Sequence, residues 1–156
     1  MNRLILAATA VFAVSGTAAL AADMPFIAKA AQGDLAEVSM GKLAEKKGST
    51  PAVRAYGKML VTDHGAHHVK AVALARKLHV TPPATPSDEQ KQMYTEVSAK
   101  SGADFDAAFK AMMVDDHNKD IADYTEQAKS GKGAVVPFAK ATLPTLQKHL
   151  DAAQAL

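Results

Sequence analysis

Apolar residues recur at spacings of three and four along most of this chain, and runs of alternating or β-branched residues are missing, which predicts helix almost throughout. The clearest seam is Val53, Tyr56, Leu60, His64, His67, Ala71, Leu74 and Leu78. A second one runs Phe105, Phe109, Met113, His117, Ile121 and Tyr124. The breaks between seams are chemically explicit. A first helix is expected from about Pro25 to Lys47, with cations at its C-terminal end and Gly48-Ser49 after it. Thr50 is a good N-cap with Pro51 at the first helical position, opening a helix to about His79. Val80 to Pro86 carries three prolines and reads as an irregular crossover. Ser87 and Gln90 form a capping box for a short helix to about Lys100. A long helix then spans about Asp104 to Lys129, and a last one starts near Val135 or Pro137 and ends near Ala153, with a kink expected at Pro144.

Four long amphipathic helices with two short connections and one long one predict an all-α four-helix bundle. The long connection, with its additional short helix, falls between the second and third long helices, where a ferritin-like fold has its crossover. A plain up-down bundle is the alternative. Upstream of the helices, Met1 to Arg3 is positive, Leu4 to Val14 is almost wholly apolar, and Ala19-Leu20-Ala21 offers small residues to a signal peptidase. About eleven apolar residues are too few to cross a bilayer core that needs roughly 20. The expected organisation is a signal peptide over residues 1–21 and a bundle domain over 22–156, exported to a bacterial periplasm or the exterior, with no integral membrane segment after cleavage.

Composition narrows the chemistry. The 156 residues include no cysteine, which excludes thiolate zinc sites, iron–sulfur clusters, covalently attached haem and a cysteine nucleophile. A net charge of +2, with both signs interspersed, offers no basic stripe for nucleic acid. No Ser-His-Asp order, phosphate-cradling glycine loop or paired-carboxylate hydrolase pattern stands out.

The informative feature is where the histidines fall. His64 and His67 lie in the apolar stripe of one helix, His117 in that of another, and His149 sits beside Leu146 and Leu150 on the last. His68 flanks a stripe and His79 closes a helix. Buried unpaired imidazoles cost about 1–3 kcal/mol each, so several should share a partner, either a metal ion or a hydrogen-bonded network with carboxylates. Glu37, among small and apolar residues on the first helix, is the candidate fourth ligand, and His67 an alternate one. Asp63 and Asp116 each precede a seam histidine and point about 100° away from it, which suits orienting a histidine better than binding the same ion. Met59, Met112 and Met113 lie nearby, as thioether donors or as core.

Several segments together resemble a family of exported bacterial proteins, domain of unknown function 4142, whose members are often labelled outer membrane proteins. They are Phe26-Ile27 with Ala31-x-Gly33-x-x-x-Glu37 and Gly41-x-Leu43-Ala44; Tyr56-Gly57-Lys58-Met59-Leu60-x-x-Asp63-His64; Gly102-x-x-Phe105-Asp106 leading to Met113-Val114-x-x-His117; and Phe138-Ala139, Leu143-Pro144 and His149-Leu150. The resemblance covers nearly all of the chain after the leader and implies a ferritin-like helical bundle without naming an activity. The chain contains no Glu-x-x-His, so a bridged di-iron site and iron storage are disfavoured. One zinc, copper, nickel or iron ion suits imidazoles with a single carboxylate better. Three readings stay open at this point: a periplasmic metal-binding protein, a metal-dependent redox enzyme, and a non-catalytic envelope module with a buried polar network.

Overall fold

The structure, a computed structural model, describes residues 17–156, with side chains from Phe26 onward. The leader expected over residues 1–21 lies outside the residues whose side chains are described. Five helices make up the described chain: α1 (Thr17–Lys47), α2 (Pro51–Lys77), α3 (Asp88–Ser98), α4 (Gly102–Ser130) and α5 (Val135–Gln154). The expected caps form. Thr50 accepts from the Val53 N–H at 3.2 Å, and Ser87 and Gln90 close a reciprocal capping box. At the end of α2, His79 adopts a left-handed φ of 58°, and the following Val80 N–H returns to the Ala75 carbonyl at 2.9 Å, so the chain leaves the helix in a sharp reversal. One boundary differs from the sequence expectation. α1 is already helical at Thr17, the first described residue and upstream of Pro25, because the alanine-rich stretch before the proline is itself a strong helix former. α5 runs through Pro144 to Gln154, close to the expected end near Ala153, since one missing N–H leaves the rest of its ladder intact.

α1 packs along α2, and α4 along α5. In the first pair, contact is closest where Gly41 meets Gly57. A Cβ built on Gly41 would lie 2.7 Å from the Gly57 carbonyl oxygen, and one on Gly57 would lie 2.6 Å from the Gly41 carbonyl oxygen. Both obstructions are backbone, so neither can swing aside. Elsewhere in an exposed helix Gly→Ala gains roughly 1 kcal/mol of helix propensity. Here Gly57→Ala is expected to destabilise the protein by about 2–3 kcal/mol as the helices are forced apart, and urea unfolding that showed a gain would contradict this contact.

The two hairpins meet across two apolar clusters. One, around Leu60, Phe105, Phe109 and Met113, includes Val97 of α3. The other, around Phe26, Tyr124, Val135 and Leu146, lies toward the opposite end. The Asp106 carboxylate of α4 accepts from the backbone N–H groups of Ser49 and Thr50 at 2.9 and 3.2 Å, fixing the start of α4 against the α1–α2 turn. Between the clusters lies a layer of buried polar side chains: Asp34, Glu37, His64, His117, Thr142 and His149.

Candidate metal centre

His64 comes from the middle of α2, His117 from α4 one turn beyond the buried Met113, and His149 from α5 between Leu146 and Leu150. All three are buried by the same helical periodicity that buries their apolar neighbours. One ring nitrogen of each is engaged by an acceptor. His64 Nδ1–H donates to Asp34 Oδ1 at 2.9 Å, His117 Nδ1–H to the Met113 carbonyl at 2.9 Å, and His149 Nε2–H to Asp63 Oδ2 at 2.9 Å. Because a carboxylate or carbonyl can only accept, these partners place a proton on the engaged nitrogen, and in the neutral ring the other nitrogen carries the lone pair.

Those lone pairs converge. One ligand atom from each of the three rings lies within 4.8 Å of the others. His117 Nε2 and His149 Nδ1 are 3.3 Å apart, and His64 Nε2 is buried with no hydrogen-bond partner. With both other nitrogens already donating, the 3.3 Å contact sets lone pair against lone pair, an arrangement that a cation between them would turn from repulsive to attractive. Bonds of about 2.0–2.1 Å at tetrahedral angles separate two ligand nitrogens by about 3.3–3.4 Å. Burial, reinforced by the neighbouring His64 and His149, pushes the His117 imidazole down to about 3. His149 is lowered by burial too, against the opposing pull of Asp63. Rings held neutral are what metal ligation requires. A cleft of about 320 Å³ between α2 and α5 reaches His64 and His149 from the surface, past Lys70, Thr142 and Lys148.

Other site residues expected from the sequence lie elsewhere. His67 Nδ1 faces Asp34 Oδ2 at 2.8 Å and its Nε2 faces Thr142 Oγ1 at 3.0 Å, so both nitrogens are engaged away from the three-histidine point. Asp63 orients His149 on the neighbouring helix and is held by Lys148 at 3.3 Å. Glu37 is buried with both carboxylate oxygens unpartnered by any N–H or hydroxyl. The group it faces is the Asp116 carboxyl, and among the described residues only His64, His117 and His149 form a cluster able to share an ion. Sequence reasoning missed Asp34. It lies on the stripe Ile27, Ala31, Asp34, all buried, and a carboxylate at that spacing is the signal that could have found it. Burial raises the Asp34 carboxyl, but hydrogen bonds and charge from His64 and His67 outweigh this and leave it below the usual range.

Glu37 shows the opposite balance. Burial, with Asp116 and Asp120 nearby, raises it well above its usual 4.5, and burial raises Asp116 as well, so the two carboxyls hold a proton between them. A carboxyl that keeps its proton in the fold but loses it when unfolded costs nothing in acid, and costs stability as pH climbs above about 4.5. Glu37→Gln is therefore expected to match the wild type near pH 4 and to exceed it at pH 7.5, by about 1.4 kcal/mol for each unit by which folding displaces the carboxyl. Urea unfolding at the two pH values checks this; a variant no more stable at pH 7.5 would refute it.

Residues 9–156 match a protein family described as "Domain of unknown function (DUF4142)", and the chain belongs to that family. No curated protein and no solved structure matches the chain.

Proposed function

We propose that this member of the DUF4142 family is an exported, ferritin-like four-helix bundle that binds a single transition-metal ion through His64, His117 and His149. The observation that carries the reading is the convergence of three buried lone pairs, each on a ring whose other nitrogen is fixed by Asp34, Asp63 or the Met113 carbonyl. Metal-ligating histidines characteristically carry such orienting partners. Three neutral imidazoles suit zinc, copper, nickel or iron, and the α2–α5 cleft supplies a path to the surface.

Residue pairings support the bundle assignment. Asp34 meets His64 and Glu37 meets Asp116, so α1 runs against both α2 and α4. His117 meets His149, and Tyr124 packs near Phe138, so α4 runs against α5. α2 and α4 then point the same way, as a long crossover between them permits. Export rests on the basic, apolar and small-residue run of the first 21 residues.

The test is thermal denaturation at pH 7.5 and 5.5 with and without zinc, copper or iron. An ion at 100 times its dissociation constant adds about 2.7 kcal/mol, or about 5–10 °C for a chain of this size. At pH 5.5 the shift should persist, because burial pushes His117 down to about 3 and lowers His149 as well, so these rings still offer their lone pairs at that pH. His117→Ala should lose the metal-dependent part and remain folded. Absence of any metal-linked shift in the wild type at pH 7.5 would leave a polar network without an ion as the better account.

A further inference from the structure

A second cleft lies on the other side of α1, away from the α2–α5 opening. It has a volume of about 440 Å³, is bounded by α1, α3 and α4, and has Glu37 and Asp116 in its wall. The size is typical of sites that enclose a small molecule, as is an apolar lining with a few polar groups. The apolar part is supplied by the thioethers of Met40, Met93 and Met112 and by the ring of Tyr94. Methionines make adaptable, polarisable walls, and a tyrosine ring accepts a cation on its face.

The polar part is what defines the ligand. Glu37 is 3% exposed, and neither of its oxygens receives a hydrogen bond from the protein. The neighbouring Asp116 can only compete for a proton. A buried carboxyl pair in that state is satisfied when a group that brings N–H donors and positive charge together takes the place of the proton the pair holds, which leaves to solvent. Lys42 and Lys91 also line the cleft, so a second positive charge on the ligand would be repelled.

We propose that this cleft binds a small organic monocation, a primary amine with an apolar body, whose ammonium donates to Glu37 and Asp116 while its carbons lie against the methionines and Tyr94. The proposal does not depend on an ion at the three histidines, and its success or failure leaves that reading untouched. α3 has a part in it: the short helix in the crossover closes the third side of the cleft, which gives that helix a role beyond spanning the distance between α2 and α4.

The experiment is titration of the full chain at pH 7.5 with hexylamine, 1-hexanol and hexanoate, read by the methyl NMR signals of Met40, Met93 and Met112 and by calorimetry. Hexylamine is expected to bind saturably, moving all three signals, and at least about tenfold more tightly than either control, since a hydrogen bond to a charged group contributes about 1.5–3 kcal/mol. Glu37→Gln should weaken hexylamine at least about tenfold and leave hexanol unchanged. Ala36→Phe, which narrows the cleft from α1, should weaken both and provides a test independent of the carboxyl. Binding of hexanol or hexanoate to within tenfold of hexylamine, or full hexylamine binding in both variants, would overturn the proposal. So would stabilisation by Ca²⁺ or Mn²⁺ that depends on Glu37 with no response to the amine, because the carboxyls would then serve a metal.

Discussion

Asp34→Ala is expected to cost about 3–5 kcal/mol, because it strips the acceptor from two imidazoles at once and leaves buried donors with nothing to meet. The Asp34 carboxylate is 3% exposed and accepts from His64 and His67 together, so no water can readily replace it. The loss should appear in urea unfolding without metal. With metal, affinity should fall a further 10–100-fold or so, as it does when an orienting partner of a ligand histidine is removed. Asp34→Asn keeps one acceptor oxygen and should fall between wild type and Asp34→Ala in both measurements. If Asp34→Ala unfolded at the wild-type urea concentration, the carboxylate would not be holding these rings.

An effect of similar size is expected at Phe109, for a different reason. Its ring is fully buried, stacked on Phe105 with centroids 5.9 Å apart and met edge-on by Tyr56 at 5.8 Å. Truncation to Ala removes a large apolar area and leaves a cavity that rigid helices cannot close, a loss of about 3–5 kcal/mol. The midpoint temperature should drop by roughly 10–15 °C. A loss below about 1 kcal/mol would show that the helices can collapse into the gap.

How much of this is legible in the sequence depends on which physical rule governs each feature. Helix positions are legible because period, caps and breakers all act within a few residues: Thr50-Pro51, Ser87 with Gln90, and Gly131 mark their boundaries directly. The faces of His64, His117 and His149 are legible for the same reason, since a residue three or four positions from Leu60, Met113 or Leu146 shares its burial. Reach is not legible. Glu37 and the histidines are all buried, yet Glu37 faces Asp116, because the rotation and offset of α1 against α4 are set by packing far from that residue. The contact of Phe26 on α1 with Tyr124 on α4, centroids 4.9 Å apart, is one such determinant, and its two rings are widely separated in the chain. Asp34 is hidden in another way: a single carboxylate on an otherwise apolar stripe shows its purpose only once α2 brings two imidazoles to it.

The sources of the three converging imidazoles bear on the order in which the molecule is put together. His117 and His149 belong to one hairpin, whereas His64 belongs to the other, which also carries both carboxylates that orient the set. Pairing of α4 with α5 brings together the two nitrogens that lie 3.3 Å apart in the complete fold, on the side where α2 arrives. An ion caught there early would be weakly held and exchangeable, and docking of the α1–α2 hairpin would then add the third nitrogen and bury the ion. Under the proposed reading, assembly of the two halves completes the metal site, and an ion can enter it either as they close or afterwards through the α2–α5 cleft.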